Sequence, residues 1–115
     1  MSDPIYHRTT PDEARRRKEL APDVHDAFER FSHAVFADAA LPEKTKQLIA
    51  VAVAHVTQCP YCIDGHTKLA ARAGNSPAEI MEAIWVAAEM RAGGAYAHST
   101  IALAALDHAS HHQPS

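Results

Sequence analysis

The stretch LPEKTKQLIAVAVAHVTQCPYCIDGH, residues 41–66, decides how this chain is read. Its first turn is polar: Glu43, Lys44, Lys46 and Gln47 follow Pro42. From Leu48 to Ala54 every position is apolar. A buried strand competes for such a run, but the polar first turn and the alanines argue for helix. A helix apolar on every side is expected to be surrounded by others. The run is far too short to cross a bilayer, which takes about 20 residues. A second helix opens at Cys59-Pro60-Tyr61-Cys62 and ends at Gly74, a residue suited to the position after a helix.

Outward from this stretch, proline marks the helix starts. Pro11, Pro22, Pro42, Pro60 and Pro77 all stand where a helix would begin, and a first-turn proline loses no needed N–H. Thr10-Pro11-Asp12-Glu13 and Ser76-Pro77-Ala78-Glu79 are capping boxes. Between Pro22 and Val35, the residues Val24, Ala27, Phe28, Phe31, Ala34 and Val35 repeat with the spacing of one buried helix face. Ile80, Ile84 and Trp85 belong to a fifth helix that Gly93-Gly94 is expected to break. A sixth follows to about Ser110, carrying Ile101, Leu103 and Leu106. No strand pattern of useful length occurs. The expectation is an all-α single domain, 1–115, of about six helices, with its core at 22–108 and a loose arm and tail.

Composition narrows the function classes. Of 115 residues, 47% are hydrophobic and 22% charged, as in ordinary globular domains. A net charge of −3 offers no basic footprint for nucleic acid. Arg15-Arg16-Arg17-Lys18 lies among Asp12, Glu13 and Glu19 and reads as a solvated face. With no signal-like start and no spanning segment, the expectation is a cytoplasmic protein without membrane contact. Aromatics are only 6%, and so lean a core suggests support from other subunits.

The chain has two cysteines, and both lie in Cys59-Pro60-Tyr61-Cys62, with His66 four residues on. On a helix start, two thiols three apart share a face and are close enough to pair. The helix N-terminus favours a thiolate, and the imidazole can take its proton. The trio thus supplies a nucleophile, a base and a resolving thiol. Its place beside His66 favours Cys62 as the activated thiolate, with Cys59 as its partner. Other readings stay open: two small buried hydrophobes, an ordinary helix histidine, or a zinc site completed by Asp64, His55 or water.

Leu41 to Ala50, the Cys59–His66 motif, Ala73-Gly74 and Glu79-Ile80 together resemble the alkylhydroperoxidase D / carboxymuconolactone decarboxylase family, over roughly residues 22–108. The resemblance implies an all-helical fold assembled as a homotrimer or homohexamer. It implies peroxidase or disulfide-reductase activity at Cys59 and Cys62, with His66 as relay, and no metal or haem cofactor. The substrate would be a small hydroperoxide or electrophile. The reductant would be a dithiol such as a lipoyl group or thioredoxin. The family's decarboxylase branch typically lacks the cysteine pair; a lyase using His66 as acid/base is the alternative, and a non-catalytic metal-binding scaffold another.

One position departs from the peroxidase pattern, which has a glutamate where this chain has Gln47. An amide can orient a histidine but cannot accept a proton at neutral pH. Glu43 or His55 is expected to substitute in the relay, or the reaction needs no strong base. Tyr61 is a candidate hydrogen-bond donor to substrate. Trp85 reads as a core or interface anchor, His98 as an exposed histidine, and His108, His111 and His112 as a solvated tail.

Overall fold

The computed structural model describes residues 5–112, with side chains through residue 110. His111 and His112 of the proposed histidine tail therefore lie outside the described side chains. The described residues form five helices: α1 (Pro11–Leu20), α2 (Pro22–Phe36), α3 (Glu43–Thr57), α4 (Pro60–Arg72) and α5 (Pro77–His112). The all-α expectation holds.

The starts follow from local chemistry. Thr10 Oγ1 accepts from the Glu13 amide at 3.1 Å, and the Glu13 carboxylate accepts from the Thr10 amide at 2.9 Å. Ser76 and Glu79 repeat the box at 3.1 and 2.8 Å. Pro11, Pro22, Pro60 and Pro77 are first helical residues, and Pro42 is the cap of α3.

The α3–α4 turn is short because Gln58 takes the left-handed conformation, φ 58° and ψ 43°. The Cys59 amide then donates back to the Ala54 carbonyl at 3.2 Å. Few non-glycine residues adopt this conformation. Here it reverses the chain within two residues and sets Cys59 as the cap of α4. At the other end, Gly74 has φ 103°, and Asn75 Nδ2 donates to Ala70 O at 3.1 Å and Lys44 O at 2.9 Å. These bonds pin the end of α4 to the start of α3. The core fills the space between: Val51, Ala70 and Ile80, with Leu48 and Ile84 packed against them.

Three expectations are corrected. First, Gly93-Gly94 does not break a helix, so the fifth and sixth helices are one helix of 36 residues. Neither glycine has a positive φ. Each costs about 1 kcal/mol against alanine, which a helix already nucleated on both sides can absorb. Second, α3 is not enclosed. Val51 and Ala54 are buried, but Ile49, Val53 and Val56 are exposed. Third, the apolar face of α2 is uncovered in the single chain: Phe28 is 66% and Phe31 64% exposed. Trp85, expected as a core or interface anchor, is likewise exposed in the single chain.

The outline reflects this. The radius of gyration is 20.8 Å and the extents are 68 × 35 × 35 Å. A globule of this length would have a radius near 13 Å. The second half of α5 projects away from the other helices, and every residue from Gly94 to Ser110 is exposed.

Candidate functional site

The site sits where one side of α3, the first half of α4 and the end of α2 meet. Cys59 caps α4, and its Sγ accepts the Cys62 backbone N–H at 3.3 Å. A cysteine thus does what serine or aspartate does at other caps: it satisfies an orphan amide with a side-chain acceptor. Both cysteines are free thiols in the structure.

This geometry divides the pair unequally. The Cys59 thiol is shifted below its ordinary pKa, first by a hydrogen bond from the Cys62 side chain, then by the backbone amides of Cys62 and Tyr61. The Cys62 thiol is shifted upward, chiefly because its proton is held by Cys59, and further by some desolvation. These contacts favour Cys59 as the more acidic thiol, whereas the spacing to His66 points to Cys62. Spacing reports which residues share a face, not which sulfur receives the amides.

His66 is positioned from two sides. Its Nδ1 lies 2.9 Å from Gln47 Oε1. An amide oxygen only accepts, so Nδ1 carries the hydrogen and Nε2 is left as the basic nitrogen. Gln47 is 2% exposed, held in the α3 core beside Val51. Phe36, the last residue of α2, stacks on the imidazole with centroids 5.2 Å apart and 27° between planes. Sequence reasoning missed Phe36. Its only signal was its place one residue past the apolar stripe of α2.

Cys62 and His66 both line an open, mostly apolar cavity of about 440 Å³, with Val35, Phe36, Ile49 and Val53 among its walls. A smaller cavity of about 290 Å³ on the other side of His66 is bordered by Glu43, Gln47 and Leu69. Of the relay candidates, Gln47 touches His66 directly, and Glu43 shares only this second cavity. His55 is turned away: its Nδ1 pairs with the Val51 carbonyl of its own helix at 2.7 Å. Tyr61 is exposed and rests against Tyr6, with centroids 5.9 Å apart.

Among the described residues, one group of potential metal ligands comes within 4.8 Å: His25, Asp26 and Glu29 on α2. The cysteines and His66 are not in it. Both ring nitrogens of His25 already face carboxylates, Asp26 at 3.2 Å and Glu29 at 3.5 Å. The sequence reading had not singled these residues out.

Fold and site together define a class: a small helical domain with a dithiol at a helix cap beside a histidine and an apolar pocket. The carboxymuconolactone decarboxylase family profile matches residues 22–105, and the chain belongs to that family. A Paracoccus denitrificans protein described as uncharacterized protein 4 in cox locus is 68% identical over 84 residues, 73% of this chain and 76% of that one. A crystal structure of a Methanobacterium thermoautotrophicum protein superposes with a TM-score of 0.68 at 36% identity, over 72% of this chain and 93% of the other. A carboxymuconolactone decarboxylase family protein from Legionella pneumophila, solved in its apo form, gives 0.66 at 30% identity, over 69% and 70%. No described helix is long and apolar enough to cross a membrane.

Proposed function

We propose that the chain is a cysteine-dependent thiol–disulfide oxidoreductase that reduces a small hydroperoxide through a Cys59–Cys62 disulfide. The observation that carries this reading is the Cys59 sulfur, which caps α4 and accepts the Cys62 N–H at 3.3 Å. A thiolate is favoured there, and the second thiol is already adjacent.

The Cys59 thiolate attacks one peroxide oxygen, the O–O bond breaks, and the departing alkoxide takes a proton to leave as an alcohol. His66, having taken up the thiol's proton at Nε2, is the group suited to donate it. Cys59 is now a sulfenic acid. The Cys62 thiol displaces its oxygen as water and forms the disulfide. An external dithiol of the lipoyl or thioredoxin kind then reduces the disulfide by exchange and is itself oxidised. No metal or haem enters these steps. Gln47 holds His66 through Nδ1 but takes no proton, so His66 must exchange protons with solvent or through Glu43. The apolar cavity beside Cys62 and His66 suits the organic part of a hydroperoxide whose O–O bond reaches the cysteine pair at its edge. This reading fits a reducing compartment such as the cytosol and an assembly of three or six chains.

A second reading is a lyase acting on a carboxylated lactone, with His66 as acid/base. Two observations favour it: the name of the matched family and the basic Nε2 left on His66 by Gln47. Among the described residues, the His25–Asp26–Glu29 cluster is one that a metal-binding scaffold would use.

Stoichiometric hydroperoxide followed by thiol counting separates the readings. The redox reading expects both thiols to vanish together, and Cys59→Ser to abolish the fast phase. Two thiols surviving the oxidant would overturn it. Lactone turnover that persists in Cys59→Ser/Cys62→Ser would establish the lyase instead.

A further inference from the structure

We infer that the second half of α5, from Gly94 to Ser110, is an exchanged segment. It seats on the α2–α3 groove of a second copy of this chain and roofs that copy's Cys62–His66 cavity. The inference rests on shape and burial, and it stands whichever chemistry the cavity performs.

Three observations converge on it. The chain exposes 9277 Å², where a folded monomer of 12.5 kDa is expected to expose about 6,200 Å². The surplus of about 3,000 Å² is several times the roughly 800 Å² per partner that a stable interface needs. It is surface of a kind that association removes.

The surplus also has two matching halves. Tyr96, Leu103 and Leu106 are exposed on the projecting segment, at a spacing that lines one helix face. Val35, Ile49 and Val53 are exposed along the open side of the cavity. An isolated helical segment of this length is marginal in water without a packed face. One chain thus carries an apolar helix lacking a floor and an apolar groove lacking a roof. A second copy supplies both.

The glycines give the third observation. Neither Gly93 nor Gly94 needs a positive φ. A Cβ at Gly94 would meet nothing within 4 Å, and one at Gly93 would meet only the Glu89 carboxylate at 3.4 Å. Nothing within the single chain requires glycine at either position. A hinge at the start of an exchanged segment does: bent there, the helix could fold back on its own chain; straight, it reaches a neighbour.

The test places p-benzoylphenylalanine at Leu103 in the full chain. Unlabelled and ¹⁵N-labelled copies are mixed, irradiated and mapped by mass spectrometry. The expected result is mixed-isotope cross-links from position 103 to α2 and α3, around Val35, Ile49 and Val53. Cross-links confined to one isotope would mean that the segment folds back on its own chain. Mixed links to any other surface, or no links at all, would equally overturn the proposal. A second variant, Leu103→Asp/Leu106→Asp, is expected to shift the species in solution towards 12.5 kDa while alkylation of Cys62 becomes faster. An unchanged mass together with an unchanged alkylation rate would overturn the roofing role.

Discussion

Helices α2 and α3 carry equally clear apolar patterns, yet they fare differently. On α3, Val51 is fully buried and Gln47 nearly so, because α4 and α5 close over one side. On α2, Phe28 and Phe31 stay mostly exposed. The difference lies in what covers each helix, not in residue type. The covered side of α3 builds the site: it buries Gln47, which aims His66. The uncovered side of α2 ends in Phe36, which reaches the same imidazole from the open side. One wall of the site is therefore core, and the other is surface in the single chain.

The sharpest break of this comparison is a charge on each helix. Val51→Asp buries an unpaired carboxylate at a fully covered position and should destabilise the fold by about 3–5 kcal/mol, read by denaturant titration. Phe28→Asp should leave the monomer's own stability within about 0.5 kcal/mol, the range of ordinary surface changes. Its effect should appear as a lower mass in light scattering. Equal destabilisation of the isolated chain by both would show that α2 is packed within one subunit after all.

The site itself can be sharpened next. In Gln47→Glu a carboxylate replaces the amide at His66 Nδ1. It would hold the imidazolium and accept its proton, so peroxide turnover should rise by at least about tenfold. Turnover that stays flat would mean that proton relay does not limit the reaction.

How much of this was legible beforehand follows the same division. Caps and proline starts are local chemistry, and α1 to α4 begin where those signals stand. Cys59, Cys62 and His66 could be grouped because three- and four-residue spacings place side chains on one helix face. Three features were not legible. The fate of Gly93-Gly94 depends on what packs beyond them, not on propensity. The cover over Phe28 and Phe31 belongs to tertiary or quaternary structure. The contact between Gln47 and His66 joins two helices through a left-handed Gln58, a conformation that glutamine gives no reason to expect.

A smaller effect concerns the two thiols. The Cys59 pKa is lowered and the Cys62 pKa raised, each mainly through the other's side chain. Alkylation of the reduced protein should therefore begin at Cys59, at a pH below the ordinary thiol midpoint of about 8.5. Modification of Cys62 should follow at higher pH. In Cys62→Ala the largest cause of the Cys59 shift is gone, so the Cys59 midpoint should climb towards the ordinary value. If Cys62 reacts first, mapped by peptide mass, the preference set by the cap contacts is wrong and His66 governs activation instead.

The smallest expected effect lies farthest from the site, in α1. Glu13 is lowered from 4.5 to about 2, first by its bond from the Thr10 amide, then by His7. Because the folded value lies below the unfolded one, the carboxylate's contribution is complete above about pH 4.5. It is lost as pH falls from there through about 2. Helix α1 buries no residue, so nothing but its caps and surface pairs answers that loss. Amide exchange in residues 12–14 should accelerate as pH falls from about 4.5 towards 2, while exchange at Val51 and Ala70 in the core should follow only the intrinsic pH dependence. Glu13→Gln should abolish the extra acceleration. If α1 exchange instead tracks the core at every pH, then α1 is held by packing rather than by its cap, and the N-terminal helices are as well covered as α3.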